Sequence, residues 1–481
     1  MPFSQKIFFV FIFFLTGVGL ASAGAGFVGV ILFSGAASCA VFLIAVVLLR
    51  PAWRWIALLV WFACAGAIYY DARLMRVYAH APVYRIPTML SGTVASHPRL
   101  SSTVRQFVLK TDTGARVNVV VGPFQAVTYG DALMLSGSVE PLSSTTQYLK
   151  KDRVAGTLAF PSIEKRVPAG WSARGALYKI SDALSGVYAR IFPPDEAALA
   201  AGIVLGQQSA SFSASFKEAM RASGTTHIVA LSGYNIMIMI SAVSFLLGFL
   251  FRRHGQFWGS CALVLVFVLM TGAESSVVRA ALMGALALIA QYASRLYDFW
   301  HSAAAVAFVM VVVNPFVLMF DLGFILSFLS FFGIMIIAPR IFSMVTISKE
   351  RHPIAREAWN TLAQTIGAQM AVLPVLLAVF NGFSLVSVAA NVPILLVMPL
   401  AMALVFAVGC VGLAWFPAAS VLAIIPHVIL WFQTHLILFF GSLPLAQVRF
   451  PWYATVVYYG ILLLAVRAFP SQNEEAIIHY V

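Results

Sequence analysis

Of the 481 residues, 61% are hydrophobic and only 10% are charged, and the mean hydropathy is +0.93, which describes an integral membrane protein and excludes a soluble globular one. Thirty Lys and Arg against 17 Asp and Glu give a net charge of +13 and a pI near 9.8. That excess alone does not imply a nucleic-acid ligand, because the cytoplasmic loops of any multispanning protein are enriched in basic residues.

The first apolar run, Ile7–Leu20, is preceded by Lys6 and followed by Ala21-Ser22-Ala23, the outline of a cleaved signal peptide. Two further runs, Phe27–Leu49 and Trp53–Tyr70, come directly after it, so the first is read as retained and residues 1–75 as three transmembrane helices. From Ala81 to Val167 the long runs give way to alternation. Thr88–Ala95, Gln106–Thr111, Arg116–Val121, Ala132–Val139 and Gly156–Ile163 read as five strands, with turn chemistry at Asp112-Thr113-Gly114 and Tyr129-Gly130-Asp131. Five short strands over residues 81–167 predict a small Greek-key barrel of the oligonucleotide-binding (OB) type. Its basic residues include Arg105, Lys110, Arg116, Lys150, Lys151 and Arg153, and its aromatic residues Phe107, Phe124, Tyr129, Tyr148 and Phe160. A positive groove with stacking aromatics binds single strands. A solvated basic surface over a core that holds the aromatics fits the same residues.

A helical linker is expected within residues 168–197, followed by a membrane domain over 198–470 and a tail over 471–481. Nine apolar segments follow the linker: Ile228–Phe251, Phe257–Gly272, Ser275–Ala293, Phe299–Val313, Val317–Ile337, Leu362–Phe380, Leu385–Trp415, Val421–Phe440 and Tyr453–Ala465. The Leu385–Trp415 stretch holds Pro393 and Pro399, which predicts a tilted, kinked or broken span. The expected fold is a polytopic α-helical membrane protein of about twelve spans with an inserted OB-like β-barrel domain. If each run spans once, Lys6, Arg50, Arg54, Arg252, Arg253, Arg295, Arg340 to Arg356 and Arg467 share one side. That side is predicted to be the cytoplasm, with both termini in it and the barrel facing outward.

Polar groups interrupt the apolar runs. His227, Ser232, Gly233 and Asn235 stand in the stretch Met220–Ile240, Glu274 and Arg279 open the span after Gly272, and Asp321 enters a later one. Glu274 and Arg279, five apart, do not share a helix face, which predicts partners on other helices. Gln364, Thr365, Gly367 and Gln369 give another span a polar face, and Asn391 precedes Pro393. Such groups in lipid line a path or hold helices together; their number favours a polar path. Cys39, Cys64, Cys261 and Cys410 lie in apolar runs without a CxxC, so no disulfide framework, metal site or cofactor is implied, and no catalytic residue is assigned.

ALAAGIVLGQQSA at Ala198–Ala210, ASGTTHIVALSGYNI at Ala222–Ile236, SSVVRAALMG at Ser275–Gly284, NPFVLMFDLGFILSF at Asn314–Phe328, and TIGAQMAVLPV through NGFSLVSVAANVPI at Thr365–Ile394 resemble, in order and spacing, the ComEC family of bacterial competence proteins. YGDALMLSG at Tyr129–Gly137 and YLKKDRVAGTL at Tyr148–Leu158 resemble that family's outward OB-like domain. The resemblance implies an inner (plasma) membrane channel that moves single-stranded DNA into the cytoplasm during natural transformation, not an enzyme. Two departures stand out. Family members commonly read Ser-Gly-Leu-His where this chain has Ser232-Gly233-Tyr234-Asn235, so a titrating group is replaced by one that only hydrogen-bonds. The family's C-terminal metallo-β-lactamase-like domain, with its His-x-His-x-Asp-His cluster, is not expected in these 481 residues. No phosphate-binding Gly-x-x-x-x-Gly-Lys-Ser/Thr loop occurs, which leaves an ATPase or helicase, like an outward DNA receptor, to separate proteins. A homo-oligomer is compatible with this reading. The alternatives are a transporter of another anionic polymer or solute, and a membrane-bound hydrolase.

Overall fold

The structure is a computed structural model that describes residues 3–24, 51–100, 104–206, 212–229, 248, 251, 253–296, 298–345, 353–380, 384, 386–443 and 452–468. The chain forms two compact units. One comprises Met1–Lys179 with Val243–Phe324, the other Ile180–Ala242 with Ile325–Val481.

The first unit holds the barrel. Its strands are β1 (Pro87–Val94), β2 (Arg99–Leu100), β3 (Arg105–Thr111), β4 (Arg116–Val121), β5 (Ala132–Pro141), β6 (Gly156–Ala159) and β7 (Ser162–Val167). Alternation dictates which side each strand buries: Val117, Val119 and Val121 of β4 point inward with Phe107 and Leu109 of β3 and Leu133, Leu135 and Val139 of β5. The ring closes in the order β1-β3-β4-β6-β5, with β5 returning to β1. Its one parallel seam sets Val117 against Gly156 and Val119 against Leu158. All five expected strand stretches contain strand. The last one divides, because Phe160 adopts a left-handed φ of 47° before Pro161, which has no N–H to give a ladder. The chain after the break, β7, lies antiparallel along β5 outside the ring.

One carboxylate ties the barrel's last segments together. Asp131 is fully buried and accepts hydrogen bonds from the Thr128 amide at 2.9 Å, the Thr128 hydroxyl at 2.8 Å, the Ala169 amide at 3.0 Å and Arg166 Nε at 2.9 Å. Burial pushes its pKa up, but the donors from Thr128 and Ala169 and the charge of Arg166 outweigh that and leave it below the usual carboxylate range.

The first unit's helices are Phe3–Ala23, Pro51–Ala79, Arg253–Met270, Ser275–Tyr292, Phe299–Val313 and the single turn Val317–Phe320. Their contacts sort by end. Lys6 lies over the Trp55 ring at 5.9 Å, Phe8 meets His301, and Phe257 stacks on Tyr292. At the opposite helix ends, the Tyr69 hydroxyl donates to the Val312 carbonyl and Ser275 donates to Asp321.

In the second unit, Pro194–Leu205 starts with a proline at its N-terminus and Asp195 and Glu196 in its first turn, as the free amides and dipole there favour. Ala214–Ala222 is capped by Ser213, whose hydroxyl accepts from the Phe216 amide at 3.2 Å. The stretch with Pro393 and Pro399 is one helix, Ser387–Ala414, that continues through both prolines. Leu322–Phe332 passes through a π-helical segment, Gly333–Ile337, into Ala338–Phe342. That segment packs on Pro353–Phe380 backbone to backbone: a Cβ on Gly367 would lie 2.8 Å from the Gly333 carbonyl oxygen. Trp452–Ala468 is held to the same helix by Tyr458 and Tyr459, which donate to the Met370 and Ala371 carbonyls at 2.9 and 2.8 Å.

Among the described residues, seven helices are long and apolar enough to cross a membrane: Ser4–Ala23, Arg54–Ala79, Ser275–Tyr292, Leu322–Phe342, Ala355–Val379, Ser387–Ala414 and Ile424–Gly441. The count of about twelve is not confirmed by these seven. Gly255–Met270, Phe299–Val313 and Val457–Ala468 are apolar helices of less than spanning length by the same standard. The expected span Phe27–Leu49, and all but a few residues of Ile228–Phe251, fall outside the described residues.

Two substitutions test these contacts. Gly367→Val should destabilise the detergent-purified protein by about 1–3 kcal/mol through overpacking, whereas Gly460→Ala, with open space at its Cβ, should leave it unchanged. Asp131→Asn should cost the barrel about 2 kcal/mol at neutral pH. Because the folded-state pKa is depressed, the carboxylate's contribution is present above the unfolded value and is lost as pH falls through the folded one. Urea unfolding of residues 81–172, which retain the Ala169 amide, should show the gap to the unsubstituted domain closing on acidification; a constant gap would contradict the assignment.

Candidate functional site

In the first unit the barrel stands on a polar foot. The loop after β5 forms a 3-10 helix, Ser144–Asp152, that ends in a left-handed Arg153 with φ 59°. Its last residues are the basic run, and they bind the connection between two apolar helices. Lys151 Nζ lies 3.5 Å from Asp321 Oδ1, with the lysine side chain 29% exposed and the carboxylate 8%. Asn314 Nδ2 donates to the Lys151 carbonyl at 2.6 Å, Arg153 Nη2 donates to the Val313 carbonyl at 2.6 Å, and Lys150 Nζ lies 4.8 Å from the Phe320 ring centre. Burial pushes the Lys150 ammonium pKa down. It pushes the neighbouring Asp152 carboxyl up, against the pull of Lys151 and Arg99 and with Asp321 adding to the rise.

Asp321 is the hub of this foot. Its backbone is extended (φ −109°, ψ 101°), so it stands at a break between Val317–Phe320 and Leu322–Phe332 rather than inside a continuous span, where it was expected. The break gives its carboxylate three partners. It accepts from the Gly323 amide at 2.9 Å, as an N-cap does, accepts from the Ser275 hydroxyl, and faces Lys151. Glu274 takes the N-cap position of Ser275–Tyr292, and one turn in, the buried Arg279 guanidinium lies 3.6 Å from Met283 Sδ.

The barrel's other basic candidates are partly committed too. Arg105 donates to the Gln125 carbonyl and Arg116 to the Asp152 carbonyl at 3.2 Å, whereas Lys110 is exposed. Of the aromatic residues considered for stacking, Phe107 is a core residue and is unavailable for it. Tyr129 packs edge-on against Tyr178 and under Arg174. Phe124, 97% exposed, with Phe160 and Tyr148, remains open to a partner.

The second unit carries a separate buried polar cluster. Gln369 Nε2 donates to Ser387 Oγ at 2.9 Å. Gly224, at φ 69°, presses against Ser387 and Ser384, so a side chain there would be both strained and blocked. One turn beyond Ser387, Asn391 is 1% exposed, and among the described residues neither end of its amide finds a hydrogen-bond partner; Ser384 Oγ, Gln369 Oε1 and both amide atoms of Gln433 are likewise buried without a partner among the described residues. His227 lies on the single 3-10 turn Thr226–Ile228 just beyond Gly224. Ser232, Gly233 and Asn235 lie outside the described residues.

Gln433 interrupts the apolar run Val421–Phe440, whereas one further pair had no signal in the sequence. His427 Nδ1 is 2.7 Å from the buried Glu196 Oε2, and the His427 ring stacks on Phe192. Glu196 read as a helix-start acid, and nothing in the spacing links it to a residue more than 200 positions away. Among the described residues no group of three or more His, Cys, Asp or Glu is arranged to hold a metal ion.

A helical membrane protein that carries a closed five-stranded barrel, with buried polar groups among its helices, is the class these features define. The chain belongs to the Competence protein family, whose model matches residues 203–471 and so takes in Gly224, His227, Arg279, Asp321, Gln369 and Asn391. It is 28% identical over 211 residues to ComE operon protein 3 of Bacillus subtilis (strain 168), a match that covers 42% of this chain and 24% of that protein. No solved structure matches the chain.

The foot is open to a double-mutant cycle. Lys151→Ala and Asp321→Asn should each lower thermal stability in detergent, and the pair together should cost less than the sum, with a coupling of about 1 kcal/mol. Strict additivity would show that Lys151 and Asp321 do not interact.

Proposed function

We propose that this protein is a plasma-membrane channel through which single-stranded DNA enters the cytoplasm during natural transformation. The observation that carries this reading is where the family match falls: on the helical half of the chain, where buried amides, hydroxyls and ions interrupt apolar helices. Polar groups at such depth are costly in lipid and are kept where they border a path or bind across helices. Passage of a polyanion needs positive potential and donors without tight binding, since a strongly held strand does not leave. Arg279, Gln369 and Asn391 supply that chemistry on our reading, together with His227, Ser232, Gly233, Asn235, Glu274 and Asp321 as liners or wall contacts.

The barrel is read as an OB-type domain on the outer face that receives the strand. The closure order with a parallel β4–β6 seam supports the OB assignment. Because Lys150, Lys151 and Arg153 bind the chain itself, the receiving surface is assigned instead to the exposed aromatics Phe124 and Phe160, with Lys110. Charge supports the orientation: Lys6, Arg54, Arg295, Arg340 and Arg467 alternate onto one side, taken as the cytoplasm. The motor and the outward DNA receptor are separate proteins on this reading.

Two measurements test it. A reporter active only outside the cytoplasm should work when fused at Gly114 and fail at Gly255 or Glu350; activity at Gly255 would invert the path. In a transformable host, Arg279→Gln or Asn235→Leu should reduce uptake of labelled DNA at least tenfold, a barrier of about 1.4 kcal/mol or more, while membrane abundance is retained. Loss of abundance would assign these residues to structure, and normal uptake at normal abundance in both variants would remove them from the path.

A further inference from the structure

Two side chains on the outside of the barrel are buried where alternation places them toward water. Phe107 and Leu109 of β3 and Val117 and Val119 of β4 point into the core, so Val108 and Asn118 between them point out. They form a cross-strand pair, yet Val108 is 8% exposed and Asn118 6%. Val108 belongs to a second apolar cluster, with Leu149, Val154 and the partly buried Leu142. Beside it Arg116, also on the outward face, donates to the Asp152 carbonyl. Residues 142–154 therefore lie across the outer face of β3 and β4 as a strap.

Counted along the chain, the ring strands are β1, β3, β4, β5 and β6, so β3 and β4 are the second and third, and residues 142–155 join the fourth to the fifth. In five-stranded barrels of the OB type, that pair of strands and that loop form the surface that takes up oligonucleotides. Here the loop is folded onto the surface it would border. Its hold on the barrel is small, for within residues 145–152 Leu149 alone is buried. The rest of the hold is polar and comes from the connection between Phe299–Val313 and Leu322–Phe332. Lys151 faces Asp321, Asn314 donates to the Lys151 carbonyl, Arg153 donates to the Val313 carbonyl, and Lys150 lies over the Phe320 ring. While the strap is down, each of its cations is engaged by the chain itself.

We propose that residues 142–154 are an autoinhibitory strap over a single-strand binding face, and that an arriving strand displaces them. This rests on the proposed function, in which the barrel receives single-stranded DNA. The Phe160 amide donates to the Val120 carbonyl, and Phe124 follows the end of β4, so both exposed aromatics stand at one end of the strapped face. A strand stacked there and continuing along β4 toward Arg116 meets the strap. Displacement exchanges partners of like chemistry: Lys151 leaves a carboxylate for a phosphate, and Lys150 and Arg153 leave a ring and a carbonyl for phosphates. The vacated face then carries these three cations beside Arg116 and Lys110, the positive surface that single strands require. The same displacement breaks the Lys151–Asp321 contact, so occupancy of the face and the grip on the helix connection exclude one another. By linkage, whatever loosens that grip tightens strand binding by the factor with which the strand loosens it.

The experiment uses the full chain in detergent and a dye-labelled single-stranded oligonucleotide, with binding followed by anisotropy. Leu149→Ala unseats the strap from the barrel and Asn314→Ala weakens its hold on the connection, and neither removes a cation. Both should tighten binding several-fold and steepen its loss with salt, because the freed cations displace counterions. Phe124→Ala should weaken binding in every background. Displacement is read directly from Leu149→Cys in a chain whose Cys39, Cys64, Cys261 and Cys410 are replaced, where saturating oligonucleotide should speed maleimide labelling several-fold. If the unsubstituted chain binds through Phe124 while both alanine variants match it and labelling at position 149 is unchanged, the strap is a fixed wall. The proposal then falls with the proposed function intact. If neither the unsubstituted chain nor either variant binds, the barrel does not receive the strand and both readings fall.

Discussion

Hydrocarbon offers no hydrogen-bond partner, so every backbone and side-chain polar group in this chain must be satisfied by the protein itself or by trapped water. Helices satisfy the backbone, and the informative places are those where a helix stops short. Asp321 is one. The break before Leu322 exposes amide groups that a continuous helix would have paired, and the carboxylate accepts from one of them while also binding Ser275 and Lys151. A single acid thus caps a helix, ties it to its neighbour and anchors the barrel. Removing its charge affects all three, which is why the residue is better understood as a junction than as an isolated intramembrane ion.

The barrel foot shows how charge that reads as ligand-binding in sequence is consumed by architecture. Lys150, Lys151 and Arg153 form the densest basic run of the domain, yet each meets a carbonyl, a ring or a carboxylate of the same unit. Their desolvation is offset by fixed partners, and they are poorly placed to attract a polyanion from solution. What stays open is aromatic: Phe124 extends from the loop after β4, and Phe160 is held outward by its left-handed backbone. On the proposed function, exposed aromatic side chains of this kind would stack on bases of any sequence.

The second unit handles polarity differently. Around Gln369, Ser387 and Asn391 the groups are neutral, buried and incompletely paired. Neutral donors and acceptors cost less to desolvate than ions and can exchange partners without a change in charge. The close backbone approach of Gly333 to Gly367 packs the neighbouring helices tightly, two residues along the chain from Gln369.

Much of this was legible in the sequence because it rests on periodicity. Apolar runs long enough to span, five alternating stretches and the turn residues between them depend on local spacing alone, and the strands formed where alternation placed Val117, Val119 and Val121 on one face. The polar candidates Arg279, Asp321, Gln369 and Asn391 were visible for the same reason, as interruptions in apolar pattern. Their partners were not. Lys151 and Asp321 are 170 positions apart, Glu196 and His427 farther still, and no residue type at such a separation announces the other. Whether a basic run meets its own chain and whether two prolines break a helix are settled by what packs against them. Burial belongs to the assembled helices and not to any window of the chain; tertiary structure alone decided those points.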